Sequence, residues 1–177
     1  MKRFMLALFV VTAMAAASAA QAQHVFCKVT GQKQGVIQGD TTLKGLQDYL
    51  TVLTISTGVV SPRDPATGLP TGKRQHTPLT ILKEVDKASP KLFLAAVTNE
   101  NLTSVECVFY RAQRNGLMQK YFSITLANAS IAEDDISGSG QINDGIRESV
   151  QFTYQKITLE DLISGTIAED DNSAALQ

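Results

Sequence analysis

Six consecutive apolar residues, Leu92 to Val97, follow Ser89-Pro90-Lys91 and precede Thr98-Asn99. No other stretch limits the architecture as strongly. Serine is a favoured N-cap, and proline suits the first helical position, where its missing N–H costs nothing. Asparagine tolerates the left-handed conformation that ends a helix. The stretch therefore predicts a helix capped by Ser89 and terminated at Asn99. A helix apolar on every side has no solvent stripe and asks for burial on two faces. In a chain of 177 residues, a second copy of the protein can supply the second face.

Around this helix the pattern is that of strands. His24 to Thr30 sets Cys27 and Val29 against Phe26 and Lys28. Tyr49 to Thr57 sets Leu53 and Ile55 against Thr54 and Ser56, the alternation of a sheet wet on one side. Pro78 to Val85, Thr103 to Arg111, Lys120 to Asn128, Ser130 to Ile136 and Glu148 to Leu159 complete about seven short strands. Such a count predicts a mainly β fold: an antiparallel β-barrel of two packed sheets, one flanking helix and a long extended loop. The loop runs from Gly58 to Thr77 and holds Pro62, Pro65, Pro70, Gly68 and Gly72, with Lys73, Arg74 and His76 at its basic end. A loop of that length in a compact domain is usually disordered or used in binding. From Glu160 the chain turns acidic and small, so residues 161–177 are expected to be a flexible tail.

Lys and Arg total 16 against 17 Asp and Glu, which gives no basic bias toward nucleic acid. The first 22 residues read as a cleavable leader. Lys2-Arg3 precedes an apolar run from Phe4 to Ala19, and Ala20-Gln21-Ala22 offers a small-x-small site. Cleavage between Ala22 and Gln23 would leave a domain at 23–160 followed by the tail. It would also take the formal net charge from −1 to −3 by removing Lys2 and Arg3. The expected location is then the periplasm or the exterior, with no membrane attachment after leader removal. A start at Met14 would instead leave a cytoplasmic protein. Export makes a Cys27–Cys107 disulfide a candidate, while two buried free thiols remain the alternative.

Chemistry-bearing patterns are few. The two histidines, His24 and His76, belong to no cluster of cysteines and histidines at metal-ligand spacing, so no metal or cofactor is expected. There is no Gly-x-Ser-x-Gly elbow and no His-Glu-x-x-His helix, and a non-enzyme is expected. Ser137-Gly138-Ser139-Gly140 has the wrong spacing for a phosphate loop. Asp134 and Asp135 would point apart on a strand and read as an exposed charged edge.

Four blocks in order resemble one family. They are Lys28-Val29-Thr30-Gly31, the strand–loop–helix unit ending in Asp86-Lys87-Ala88-Ser89-Pro90-Lys91-Leu92, the strand Lys120-Tyr121-Phe122-Ser123-Ile124-Thr125-Leu126, and the closing strand Glu148 to Ile157. Together they are similar to the Hcp tube proteins of bacterial type VI secretion. The resemblance implies a non-enzymatic barrel, six copies in a ring, and rings stacked as a hollow tube that carries or shields effector proteins. It makes Thr54 and Ser56 candidates for the channel surface. It makes Pro62, Arg63, Asp64, Pro65, Gly68, Pro70, Gly72, Lys73 and Arg74 candidates for contact with a neighbouring subunit. Other partners implied are components of the secretion apparatus. The leader departs from the family's pattern, because tube proteins assembled in the cytoplasm need none. A stand-alone exported binding module with the same fold is therefore the alternative function.

Overall fold

The computed structural model describes residues 23–139 and 145–171. The expected leader with its Ala22–Gln23 cleavage site, Met14, Gly140 and the last six residues of the tail therefore lie wholly or partly outside the described residues. Nine strands and one helix are present among those described: β1 Gln23–Gly31, β2 Gly35–Ile37, β3 Leu50–Val52, β4 Thr54–Val60, β5 Gln75–Glu84, α1 Ser89–Val97, β6 Leu102–Ala112, β7 Met118–Ser137, β8 Arg147–Asp161 and β9 Thr166–Asp171. Every pairing is antiparallel.

The expected pair of packed sheets closed as a barrel is replaced by a single sheet. Its order is β2-β1-β6-β7-β8-β5-β4, with β3 added to β1 and β9 added to β8. The path does not close, but its ends are joined through one stretch of chain. β3 pairs with β1 and β4 pairs with β5, and only Leu53 separates them. Leu53 donates its N–H to the Leu82 carbonyl at 2.8 Å and turns its side chain to solvent, so it does not share the buried face of Ile55 as its spacing predicted.

The main core lies on one face of the sheet, where Cys27, Val29, Leu79, Ile81, Val105, Cys107, Leu126, Val150 and Phe152 meet, and a smaller cluster of Phe26, Leu46 and Val108 lies apart from it. Burial of this kind contributes about 25 cal/mol per Å² of apolar surface. The inward parity of β7 changes twice. Asn128 adopts φ 49° and its side-chain amide donates to Gln155 at 3.1 Å, so the inward positions pass from Ile124 and Leu126 to Ala129 and Ile131. A bulge between Ile131 and Glu133 then swings Asp134 inward. The expected separate strand at Ser130 to Ile136 is therefore the far half of β7.

Helix α1 packs across β7 with Leu92 and Ala95 buried. It ends as expected at Asn99, φ 48°, in a Schellman arrangement: Asn99 N–H donates to the Ala96 carbonyl and Glu100 N–H to the Ala95 carbonyl. Its start differs from expectation. Ser89 does not cap; it lies inside the first turn, with its hydroxyl committed elsewhere.

The expected frayed tail is also corrected. Residues 166–171 form β9 along β8, entered through a turn in which the Asp161 carboxylate accepts the Ile163 and Ser164 N–H groups. Gly165 completes that turn at φ 72°, a conformation open to glycine at little cost.

Candidate functional site

The 58–77 stretch, which the sequence presents as a loop without structure, is a protruding β-hairpin. Gly58, Val59 and Val60 pair with Thr77, His76 and Gln75, which extends β4 and β5 into it. Pro78 sits where the register slips by one residue, at a bulge that needs no N–H from it. Beyond the strands, Arg63 bridges to Pro70 and the tip folds on Asp64. The Asp64 carboxylate accepts the N–H groups of Ala66 and Thr67 and the Thr67 hydroxyl, which holds its carboxyl below the usual range. The arm is exposed over Pro65, Gly68, Pro70, Gly72, Lys73 and Arg74, with Pro62 and Asp64 half-buried against the tip. No hydrophobic period marks it because both of its faces meet solvent.

Helix α1 offers a second surface. Phe93 is 54%, Leu94 46% and Val97 62% exposed, so the face opposite Leu92 and Ala95 is apolar and uncovered. The third surface is the exposed face of β4. Thr54 and Ser56 are exposed while Ile55 packs toward the core. Ser56 lies opposite Thr80 and Thr80 opposite Gln151, a polar line across three strands, whereas Thr54 lies opposite the apolar Leu82.

Beneath the helix start lies a buried charge cluster. Lys83 and Glu148 are directly opposed on β5 and β8, and both are fully buried. The Lys83 ammonium lies 2.6 Å from Glu148 Oε2, 2.8 Å from Asp86 Oδ1, 3.1 Å from Ser89 Oγ and 2.8 Å from the Glu84 carbonyl. The Ser89 hydroxyl donates to Glu148 Oε2 at 2.6 Å and accepts the Asp86 N–H. The cluster thus ties two strands to the first turn of α1. Glu148 Oε1 and both carboxyl oxygens of Asp134 are buried beside it with no donor among the described residues, so a proton on Asp134 is what can join the two carboxyls. Burial, and then the Glu148 charge, push the Asp134 carboxyl up to about 6, with Lys83 pulling the other way.

A family model described as "Type VI secretion system effector, Hcp" matches residues 26–160. The chain belongs to the Hcp family. It is 36% identical over 164 residues to the Major exported protein of Pseudomonas aeruginosa, spanning 85% of this chain and 95% of that one. Among solved structures, a crystal structure of an Hcp protein superposes with TM-score 0.80 at 26% identity, covering 85% of this chain and 99% of that one. The secreted protein Hcp3 of Pseudomonas aeruginosa superposes with TM-score 0.72 at 31% identity, covering 85% and 98%.

In this Hcp chain the expected site residues fall on distinct surfaces. Pro62 to Arg74 share the arm, while Thr54 and Ser56 lie on the exposed face of β4 at its root. Cys27 and Cys107 lie away from both, disulfide-bonded in the core. The buried cluster is the feature that sequence reading missed. A signal existed: Lys83 keeps the phase of the inward Leu79 and Ile81, and Glu148 that of Val150 and Phe152. Asp134, read as an exposed edge, is corrected to an inward carboxyl, whereas Asp135 is exposed.

Asp134 gives a pH-dependent prediction. Its folded pKa is raised above the usual value near 3.8. Its contribution is therefore fully present below about pH 4 and lost as pH rises through about 6. Asp134→Asn keeps a hydrogen-bond donor and carries no charge. At pH 7 the variant should be more stable by about 1 kcal/mol, allowing for solvent screening of this half-buried side chain. Thermal unfolding of both proteins at pH 7 and pH 3.5 checks this, with the difference expected to vanish at the lower pH.

Proposed function

We propose that this Hcp protein assembles into closed rings through its protruding arm and the exposed face of α1, and that stacked rings form a channel for effector proteins. The observation that carries this reading is the pairing of an ordered, exposed arm with an uncovered apolar helix face on one chain. Two unlike surfaces of this kind make a heterologous contact, which closes into a ring when the rotation allows. Thr54, Ser56 and the Thr80 and Gln151 that continue from Ser56 suit a channel wall, since uncharged polar side chains let a cargo pass without binding it tightly. The role is structural, with no catalytic step.

Deletion of Pro62 to Lys73 tests the arm. The core contacts lie elsewhere, so the variant should stay folded, with an unchanged far-UV spectrum, and run as a monomer where the parent runs as a ring. A ring that survives the deletion would take the arm out of the interface.

A second reading is favoured by the disulfide between β1 and β6. Disulfides persist in oxidising compartments, and the leader pattern points the same way. A copy exported in this manner would act in the periplasm or outside as a stand-alone module. The N-terminal sequence of the protein recovered from the periplasm separates the two routes: a start at Gln23 favours the module, and retention of Met1 or Met14 in the cytoplasm favours the tube.

A further inference from the structure

One edge of β8 is taken by β7. The other edge is divided. Residues 147–152 pair with β5 and residues 156–161 pair with β9. Both partners run antiparallel to β8, so β9 lies in line with β5 and its C-terminal end faces the first residue of β5. Continuing the β5 ladder beyond Leu79↔Phe152 in the same register would set Gln75 opposite Lys156. Lys156 is instead paired with Asp171. β9 therefore occupies the sheet position into which the arm strand would otherwise run, and the arm leaves the sheet at that point.

Little apolar packing holds β9 there. Its side chains are exposed except at Asp170, and a cavity of about 330 Å³ lies between it, β4 and β8, lined by Val59, Ile157, Leu159 and Ala168. Polar contacts do the holding. The Asp170 carboxylate accepts two hydrogen bonds from the Arg74 guanidinium and lies 2.7 Å from His76 Nε2. His76 is itself braced at Nδ1 by the Tyr154 hydroxyl, 3.3 Å away, from the gap between the two ladders on β8. Lys156 adds an ion pair to Glu169 at 2.8 Å. The Arg74 and then the His76 hydrogen bonds bring the Asp170 carboxyl down to about 2, so this carboxylate stays charged across ordinary pH. Arg74 is the last residue of the arm and His76 the second of β5.

We propose that β9 is the positioning strand of the assembly arm: by clamping Arg74 and His76, Asp170 sets the angle at which residues 61–74 leave the sheet and so controls contact with a second copy of the chain. The inference rests on the ring reading above. Without the clamp, β9 detaches and the strand of the arm next to β5 is free to zip along β8. The arm is then withdrawn from its neighbour.

The experiment compares the full chain with Asp170→Ala and Asp170→Glu by native mass measurement and hydrogen exchange. In D170A, amides 166–171 and 61–77 should exchange about fivefold faster or more, while the β1–β6 ladder keeps its protection. The ring population should fall at least tenfold. D170E retains the carboxylate and should keep both readouts within about twofold of the parent, as expected for a charge-assisted contact. A D170A chain that assembles like the parent overturns the proposal. If the parent itself is monomeric, the ring reading fails on its own. Exchange over 61–77 then decides the clamp: faster exchange in D170A supports it, and unchanged exchange overturns it.

Discussion

Replacing Lys83 by methionine should cost about 3–5 kcal/mol of folding stability, because it leaves the Glu148 carboxylate buried without its cation. A domain of this size is stable by only about 5–15 kcal/mol, so the loss would be plain in a urea midpoint. The reason lies in the geometry. Lys83 and Glu148 are both fully buried, and the ammonium serves Glu148, Asp86, Ser89 and the Glu84 carbonyl together. Methionine fills nearly the same volume, which separates the charge effect from a cavity effect. The paired change K83M/E148L removes both charges and should recover most of the loss, since apolar replacements of a buried pair are often neutral or better. Helix α1 should report the single change most sharply, because Ser89 and Asp86 join the cluster at its first turn. A K83M protein within about 1 kcal/mol of the parent would mean that Glu148 can neutralise by taking up a proton, as buried carboxyls do.

Most of the sheet was legible because its inward positions are apolar at period two. Cys27 and Val29, Val105, Cys107 and Phe109, Ile124 and Leu126, Val150 and Phe152 all face the side that alternation assigns. The failures have physical causes. β9 buries almost none of its side chains and is held by main-chain pairing and the carboxylates of Glu169 and Asp170, so it leaves no hydrophobic trace. The arm is exposed on both faces and looks like a loop. At Asn128 and Ala132 the parity of β7 breaks, which split one strand of 20 residues into two in the sequence reading. Ser89-Pro90 did mark the helix start, but by the rule for an exposed helix. Here the serine faces a buried glutamate 59 residues away, and that long-range contact took the hydroxyl from the cap. Alternation put Thr54 and Ser56 on one face of their strand, but only resemblance to the Hcp family offers them, and the arm residues, as candidates for a channel or a subunit contact, because a polar strand face carries no signal of what it meets.

Reduction of the Cys27–Cys107 bond should lower stability by about 4–5 kcal/mol on the chain-entropy account, with about 2–5 typical of natural bridges. The two residues are 80 apart in sequence, directly opposed in the β1–β6 register, fully buried, and have Cα atoms 4.0 Å apart. Sequence alone left the bond open, because alternation put both side chains in the core but could not say that β1 pairs with β6. The ladder from Gln23↔Arg111 to Gly31↔Leu102 holds that pairing independently of the sulfurs. Reduction should therefore leave the folded form and its far-UV spectrum unchanged while releasing a long loop in the unfolded chain. The effect is best measured as the urea midpoint with and without reductant, since C27A/C107A would add the loss of two buried sulfur atoms from the core. Thiol titration of the denatured protein, prepared from the periplasm without reductant, gives the state of the bond itself. No titratable thiol in a chain of monomeric mass is the expected result, and two free thiols per chain would show that the cysteines are only small buried hydrophobes.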